Sequence, residues 1–209
     1  MAVDTTPERI EDAALRLFLR QGVKKTNLDE VAHQAGVTRI TVYRHYGDRG
    51  GLVRAVCRRI AAIFERAATG AAGDSTQDVD ARLQRLGAEL SALPAGDLLA
   101  RLDEISRQFP EAYAEFRTAR EDAVNRIFRQ ALAAATREGT LRPGINRDVL
   151  QAIFSAAVVG LIENPALISS HVSMPEIFTT VTDLFWHGVL KEPKGGRAAA
   201  KASCRSVQD

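Results

Sequence analysis

Residues 26–49 read TNLDEVAHQAGVTRITVYRHYGDR, and this stretch decides the fold. Two short segments with apolar residues at helical spacing lie on either side of residues 35–37, Ala-Gly-Val. A tight, glycine-containing break between two such segments is typical of a helix-turn-helix. The pattern predicts one helix over residues 28–34 and a second over residues 38–45.

The sequence also indicates where these two helices begin and how they touch. Asn27 precedes the first helix with Glu30 three residues later, which predicts a capping box, and Thr38 is placed to cap the second. Gly36 supplies a turn residue with an unrestricted backbone. Small and β-branched residues at the facing positions should fix the angle between the helices: Val31, Ala32, Ala35, Val37 and Val42.

The second helix of this pair is predicted to project hydrogen-bonding side chains outward. With the valines facing inward, the outward set is Arg39, Thr41, Tyr43, Arg44 and His45. Side chains of these types suit base edges and phosphates of duplex DNA. The alternative is a helical hairpin whose polar face only meets water. The agreement of caps, turn glycine, inward valines and basic outer face favours DNA binding.

Helical segments on both sides extend the motif to a DNA-binding domain over residues 1–70. The first helix should open at Thr6-Pro7 and stop at Gly22. Its apolar stripe is Ile10, Ala13, Ala14, Leu17 and Phe18. A fourth helix ending near Gly70 carries one apolar face, Leu52, Val53, Val56, Ile60, Ile63 and Phe64. The change to small and polar residues over 69–75 indicates the domain boundary.

The rest of the chain also has helical patterning, so the predicted fold class is all-α. A larger domain is expected over residues 71–191, with helices over residues 78–93, 97–107, 110–138, 147–164 and 175–191. Residues 192–209, rich in small and basic residues, predict a disordered tail.

Composition and charge exclude several classes of protein. The net charge of +2 is too small for a histone-like nonspecific binder, yet residues 1–60 hold eleven Lys or Arg against seven Asp or Glu. Cys57 and Cys204 lie too far apart, in contexts too different, for a disulfide framework. No apolar run reaches the roughly 20 residues of a membrane span, and no signal peptide is recognisable. We therefore expect a cytoplasmic protein with no membrane partner.

The sequence predicts no enzyme, no cofactor and no metal centre. His33, His45, His171 and His187 are scattered. The chain has no His-Glu-x-x-His, no glycine-rich phosphate loop and no recognisable nucleophile context. A metal site built from His187 with His171 or Glu163 stays open as an alternative, although single histidines are more often structural.

The quoted segment resembles the signature of the tetracycline-repressor (TetR) family of transcriptional regulators. That family's pattern is roughly T-T-x-x-x-I-A-x-x-A-G-V-S-x-G-T-L-Y-x-H/Y-F-x-x-K-x-x-L, and residues 26–49 follow it closely. The resemblance implies a three-helix helix-turn-helix domain followed by a larger ligand-binding and dimerisation domain, about nine helices in total. Two positions depart from the pattern. Ile40 replaces a small residue, and Gly50-Gly51 replaces better helix formers, which should loosen the first turn of the fourth helix.

The resemblance implies base and phosphate contacts along the second helix of the motif. Arg39 and Thr41 would reach base edges in the major groove, and Tyr43 and His45 would hold phosphates. The bulk of Ile40 could contact a thymine methyl group. The competing interpretation is that Tyr43 packs against the protein and His45 is solvated.

Further phosphate contacts are implied around the ends of the motif. Arg49 stands where the family has lysine and would contact phosphate. Asn27 and Thr38 would cap helices whose N-termini present amides to phosphate, or would only cap. Arg44 and Lys25 are plausible phosphate neighbours.

The same resemblance implies a homodimer that reads palindromic half-sites of a duplex operator about 34–36 Å apart. The expected interface residues are Ala152, Ala156, Gly160, Val181, Leu184 and Phe185, with intramolecular packing as the alternative. A pocket for a small-molecule effector is expected among Phe109, Tyr113, Phe116, Phe128 and Phe154, although such aromatic residues more often form core. Glu163 and Asn164 could add polar contacts to a ligand.

Together these features predict a repressor that a ligand releases from DNA by tilting the fourth helix. The sequence does not separate this function from that of an activator with the same fold, or of a regulator that binds no ligand.

Overall fold

The computed structural model describes residues 5–70, 88, 97–170 and 172–189. These residues form helices and no β-strand, which confirms the all-α prediction. In chain order the helices are α1 (Thr6–Gln21), α2 (Leu28–Ala35), α3 (Arg39–Tyr46), α4 (Arg49–Gly70), α5 (Leu98–Gln108), α6 (Pro110–Arg137), α7 (Arg147–Ile162), α8 (Pro165–Ser169) and α9 (Met174–Val189).

Helix α1 begins one residue earlier than expected. Thr5, not Thr6, is the N-cap residue, and it forms a reciprocal capping box with Glu8. The predicted apolar stripe is fully buried, from Ile10 to Phe18. Gly22 ends the helix with a φ of +93°, a backbone conformation that side chains rarely adopt.

The turn between α2 and α3 has the expected construction. Gly36 takes the left-handed conformation, with φ of +65°, and caps the end of α2. Val31 and Val42 are buried from opposite sides of the turn, so their packing sets the angle between the two helices. The side chains of Asn27 and Thr38 accept hydrogen bonds from the amides of Glu30 and Thr41, at 2.7 and 3.2 Å.

Only one of the two hydrogen bonds of the predicted capping box is present on α2, and the prediction of the second is wrong. The Glu30 carboxylate does not return to the Asn27 amide; it accepts a hydrogen bond from Gln21 of α1 at 2.7 Å. Arg20 of α1 also donates a hydrogen bond to the Glu30 carboxylate, at 3.4 Å. The glutamate therefore ties α2 to α1 instead of closing its own helix end.

The expectation that Gly50-Gly51 loosens the start of α4 stays a prediction, and the structure shows what Gly51 permits there. The Asp48 carboxylate caps the helix by accepting from the Gly51 amide at 2.8 Å. A Cβ atom on Gly51 would overlap the carbonyl oxygen of Tyr46. Gly51 thus permits the backbone of α4 to approach the last turn of α3, which fixes the two helices together.

Helix α6 packs along α4 and connects the helices after residue 97 to it. Helices α5 and α7 pack against α6, and α9 packs against α7. Asp97 caps α5 and Asn146 caps α7. The short helix α8, which begins at Pro165 behind an Asn164 cap, was not predicted. The buried apolar side chains of α5, α6, α7 and α9 join those of α1 to α4 in a single core, and α8 packs against it with partly buried side chains.

Several predictions lie outside the described residues. These are the helix over 78–93, the disordered tail over 192–209, Cys204 and His171, together with the side chain of His187. The domain boundaries at residues 70 and 191 stay predictions.

Cys57 is buried, and that burial raises the pKa of its thiol to about 12, so the group is neutral. Within the described ranges, no helix is both long enough and apolar enough to cross a membrane.

The close approach at Gly51 predicts the effect of adding one methyl group. Gly51→Ala would clash with the Tyr46 carbonyl, and we expect a loss of about 1–3 kcal/mol in the free energy of unfolding. The matched control is Gly50→Ala, whose nearest neighbour is the movable Asp48 carboxylate at 3.2 Å, and a smaller change is expected. Urea denaturation measures both, and equal stability of the two variants would contradict the proposed packing.

Candidate nucleic-acid interface

Helix α3 presents an exposed arginine that is held in place by two neighbours. The Arg39 guanidinium forms an ion pair with Asp29 of α2 at 2.8 Å and donates to the Tyr43 hydroxyl at 3.1 Å. It also lies over the Tyr43 ring, 5.4 Å from its centre. The hydrogen bond with Tyr43, with the charge of Asp29, raises the pKa of Arg39, so the group stays charged. Arg39 is thereby oriented on the outer face of the helix.

The remaining outward positions of α3 are also accessible. Ile40 is 79% exposed, and Thr41 is half-buried with its hydroxyl 3.0 Å from that of Thr38. Arg44 and His45 are exposed near the C-terminal end. A side chain as apolar as Ile40 gains from contact with an apolar surface, and a thymine methyl group offers one.

Tyr43 is only partly exposed, at 39%, because Arg39 covers one face of its ring. Its hydroxyl accepts from Arg39 and keeps its own proton available for an acceptor such as a phosphate oxygen. The two sequence interpretations, packing and phosphate contact, are therefore compatible at this residue.

Arg49 has a role within the protein that the sequence did not indicate. Its guanidinium donates to the backbone carbonyls of Val23, at 2.6 Å, of Lys24, at 3.1 Å, and of Thr26. These carbonyls belong to the loop over residues 22–27, which joins α1 to α2. Phosphate contact by Arg49 stays a prediction, and the same side chain holds this loop against the start of α4.

Glu104 of α5 holds the same loop from the other side, and sequence analysis missed it. Its carboxylate accepts from the amides of Val23 and Lys24, at 3.1 and 2.7 Å, and pairs with Arg101 at 3.0 Å. Burial alone raises the pKa of Glu104, but these donors outweigh burial and hold that pKa below its ordinary value of 4.5. The two residues form a clamp on this loop, Arg49 on its carbonyls and Glu104 on its amides. The clamp joins the reading head, which consists of the three helices α1–α3, to α4 and α5.

The aromatic residues predicted for a ligand pocket contact rings on different neighbouring helices. Phe116 packs with Tyr113 and with Phe64 of α4, at ring-centre distances of 6.1 and 6.5 Å. Phe128 of α6 stacks on Phe154 of α7 at 4.3 Å. Phe109 lies at the junction of α5 and α6. A ligand role for these five side chains stays a prediction.

The residues predicted for a dimer interface also divide into two groups. Ala152, Ala156 and Gly160 of α7 and Leu184 of α9 are exposed. Val181 is buried, and Phe185 packs edge-on against Phe128 and Phe154 within the core. Two further apolar residues that the prediction left out, Val149 and Ile153, extend the exposed strip on α7, each at 53%.

Comparison with known proteins points to one family. Residues 10–56 match the model for the tetR family of bacterial regulatory proteins. The HTH-type transcriptional regulator TtgR of Pseudomonas putida is 27% identical over 176 residues, which cover 81% of this chain and 84% of that protein. The regulator AcrR of Shigella flexneri is 51% identical over 47 residues, 22% of each chain.

Solved structures share the fold. SmeT, the repressor of the Stenotrophomonas maltophilia multidrug efflux pump SmeDEF, matches with a TM-score of 0.59 at 22% identity, over 90% of this chain and 92% of its own. A complex of SmeT with triclosan matches with the same TM-score, 0.59, at 20% identity, over 90% and 92% of the two chains.

The clamp predicts a pH-dependent contribution to stability. Because the folded-state pKa of Glu104 is lowered, its contribution is present at neutral pH and is lost as the pH falls through that value, below 4.5. The difference in unfolding free energy between wild type and Glu104→Gln should therefore shrink from about pH 7 to about pH 3.

Urea denaturation across that range is the measurement, and Glu138→Gln, at an exposed carboxylate after α6, is the control. A difference for Glu104→Gln that is independent of pH would contradict the role given to its charge.

Proposed function

Because this chain is a DNA-binding transcriptional regulator of the tetR family, we propose that it acts as a homodimeric repressor that a small-molecule effector releases from its operator. The observation that carries the proposal is the outer face of α3. An exposed arginine, oriented by Asp29 and Tyr43, stands beside exposed polar and apolar side chains on a helix short enough to enter a major groove. Its place of action is the cytoplasm, where operator DNA is found.

The exposed strip on α7 and α9 supports the homodimer. Val149, Ile153 and Leu184 are apolar and more than half exposed, and the small residues between them allow another helix to approach closely. A second copy of the same strip would cover these side chains across a two-fold axis. Two reading heads held by one interface would bind two half-sites, which a single α3 helix is too short to span.

The connections between the two halves of the chain support release by an effector. Helix α4 starts against the end of α3 at Gly51 and packs along α6 for much of its length. The Glu104 carboxylate joins α5 to the loop before α2. An effector that binds better to an arrangement with shifted α5 and α6 would therefore move the reading heads away from operator spacing.

The proposed base and phosphate contacts predict opposite effects for two arginine variants. On duplexes selected by the wild-type protein, Arg39→Ala should cost about 1–3 kcal/mol and relax the preference at one base position. Arg49→Ala should weaken binding about equally on all sequences and reduce the slope of affinity against salt by about one. Fluorescence anisotropy over a salt series measures both.

Because Arg49 also holds the α1–α2 loop, the Tm of its variant is checked first and binding is compared where both proteins are folded. The reverse pattern, with uniform loss for Arg39→Ala and altered base preference for Arg49→Ala, would overturn the proposed roles.

The proposed interface predicts the effect of a charge on α7. Ile153→Asp would bury an unpaired carboxylate between two copies, so we expect the dimer dissociation constant to rise by about a hundredfold, as a loss of about 3 kcal/mol implies. Ala133→Asp, at an exposed position of α6, is the matched control and should leave the dimer intact. Sedimentation equilibrium measures both, and a dimer that survives Ile153→Asp unchanged would rule out this strip as the interface.

A further inference from the structure

A fully buried arginine lies in the second half of the chain, outside the reading head. Arg120 of α6 is 0% exposed and is the largest fully buried side chain among the described residues. Its Nε, Nη1 and Nη2 atoms are buried, and none makes a hydrogen bond within the part of the chain that the structure describes. A guanidinium cannot lose its charge in a protein, so burial without hydrogen-bond partners is costly.

Two carboxylates lie near this guanidinium, but neither is close enough to accept a hydrogen bond from it. Glu121 and Glu163 each lie 3.8 Å from Nη2, beyond hydrogen-bond distance, and both side chains are more than a third exposed. Glu163 is engaged elsewhere, because it accepts from the Tyr113 hydroxyl at 3.1 Å. The ring of Phe116 lies 5.5 Å from the guanidinium carbon. The Tyr113 hydroxyl is a third neighbour: burial raises the pKa of that phenol, and its interaction with Arg120 acts in the opposite direction. The charge of Arg120 is thus partly balanced, while no donor of the guanidinium has a partner at full hydrogen-bond geometry among the described residues.

Arg120 lines a narrow cleft between α6 and α7. The other lining residues combine apolar and hydrogen-bonding side chains: Glu121, Val124, Asn125, Ser155, Val158 and Val159. The cleft has a volume of about 10 Å³, room for one water-sized group. Anything larger than that enters only if α6 and α7 separate.

We propose that this cleft is the effector site of the regulator and that Arg120 binds the carboxylate of a small organic acid. The proposal rests on the proposed function, since it names the class of ligand that would release the operator. The planar fork of a guanidinium matches the two oxygens of a carboxylate and supplies two parallel hydrogen bonds. The valines would take an apolar body, and Asn125 and Ser155 lie within the same wall.

The charges around the cleft favour a carboxylate over a phosphate. Glu121 and Glu163 already place negative charge beside Arg120, so they repel a ligand with two negative charges more strongly than a ligand with one. A ligand with a single negative charge would pair with Arg120 in place of Glu163. Inorganic phosphate, which on average carries more than one negative charge at neutral pH, does not.

The position of the cleft suggests how its occupation reaches the reading head. Helix α6 carries Arg120 and packs along α4, to which Arg126 is tied by ion pairs with Glu65 at 2.8 and 3.3 Å. Separation of α6 from α7 would move α6 against α4, and α4 begins at the end of α3. A ligand that needs the separated arrangement therefore shifts the population toward displaced reading heads.

The test compares acids with amides of the same shape. Acetate and benzoate, each against acetamide and benzamide, are titrated into the full-length protein while its Tm is recorded, with inorganic phosphate as a further arm. At about 100 times its Kd a bound carboxylate should raise the Tm by about 5–10 °C, and the amides and phosphate should not. Equal effects of acid and amide, a larger effect of phosphate, or no effect of either acid up to solubility would overturn the proposal.

Variants identify the residue that binds the acid. Arg120→Met keeps the volume and removes the charge, a replacement that buried ion pairs often tolerate, and it should abolish the acid-specific Tm shift. Arg129→Met, exposed on the same helix, should keep it. Glu163→Gln should tighten binding of the acid, because the neutral amide no longer competes for Arg120. If Arg120 and Glu163 only formed a structural ion pair, Glu163→Gln would lower the stability of the protein and leave its acid binding unchanged. That result would also overturn the proposal.

Operator binding separates this inference from the proposed function. Wild type and Arg120→Met should bind the operator alike without acid, and benzoate should release only the wild type. If neither protein prefers any duplex, the proposed function fails, while the acid-specific Tm shift still decides the carboxylate site. If both proteins bind the operator and benzoate changes neither the Tm nor operator binding, the proposed carboxylate site is wrong. The proposed function as an operator-binding regulator is then unaffected.

Discussion

The wedge between α2 and α3 is the constraint on which the rest of the structure depends. Gly36 turns the chain in the left-handed conformation, and Val31 of α2 and Val42 of α3 are buried behind it. Because the apolar side of α3 is fixed in this way, its other side is free to carry Arg39 outward. The close approach of Gly51 to Tyr46 then ties the start of α4 to the end of α3.

Much of the fold could be predicted because its signals are local. A cap, a turn glycine and an apolar stripe all act within a few residues, and they identified α1 to α4 and Gly36 from the sequence alone. The sequence predicts a loosened turn at Gly50-Gly51 and does not indicate the close approach at Gly51. Glycine in a helix lowers stability unless a neighbour approaches too closely for a side chain, and the sequence does not reveal that Tyr46 does so.

Contacts between distant parts of the chain could not be predicted in the same way. Glu104 meets the amide of Lys24 across 80 positions, and Arg49 turns to carbonyls instead of solvent. Arg120 lies in a charged segment that reads as an exposed helix face, yet the structure buries it between α6 and α7. In each case tertiary packing assigns the charged group a partner or deprives it of one. These same groups connect the second half of the chain to the reading head.

The measurement that tests the α3 geometry most directly is selection of duplexes from a random pool by the purified protein, followed by sequencing. A dimer with two fixed reading helices predicts enrichment of an inverted repeat whose half-sites lie about 10–10.5 base pairs, or a multiple of that, from centre to centre. Recovery of fragments with no shared sequence, at moderate salt and against random competitor, would contradict the geometry on which everything else is built.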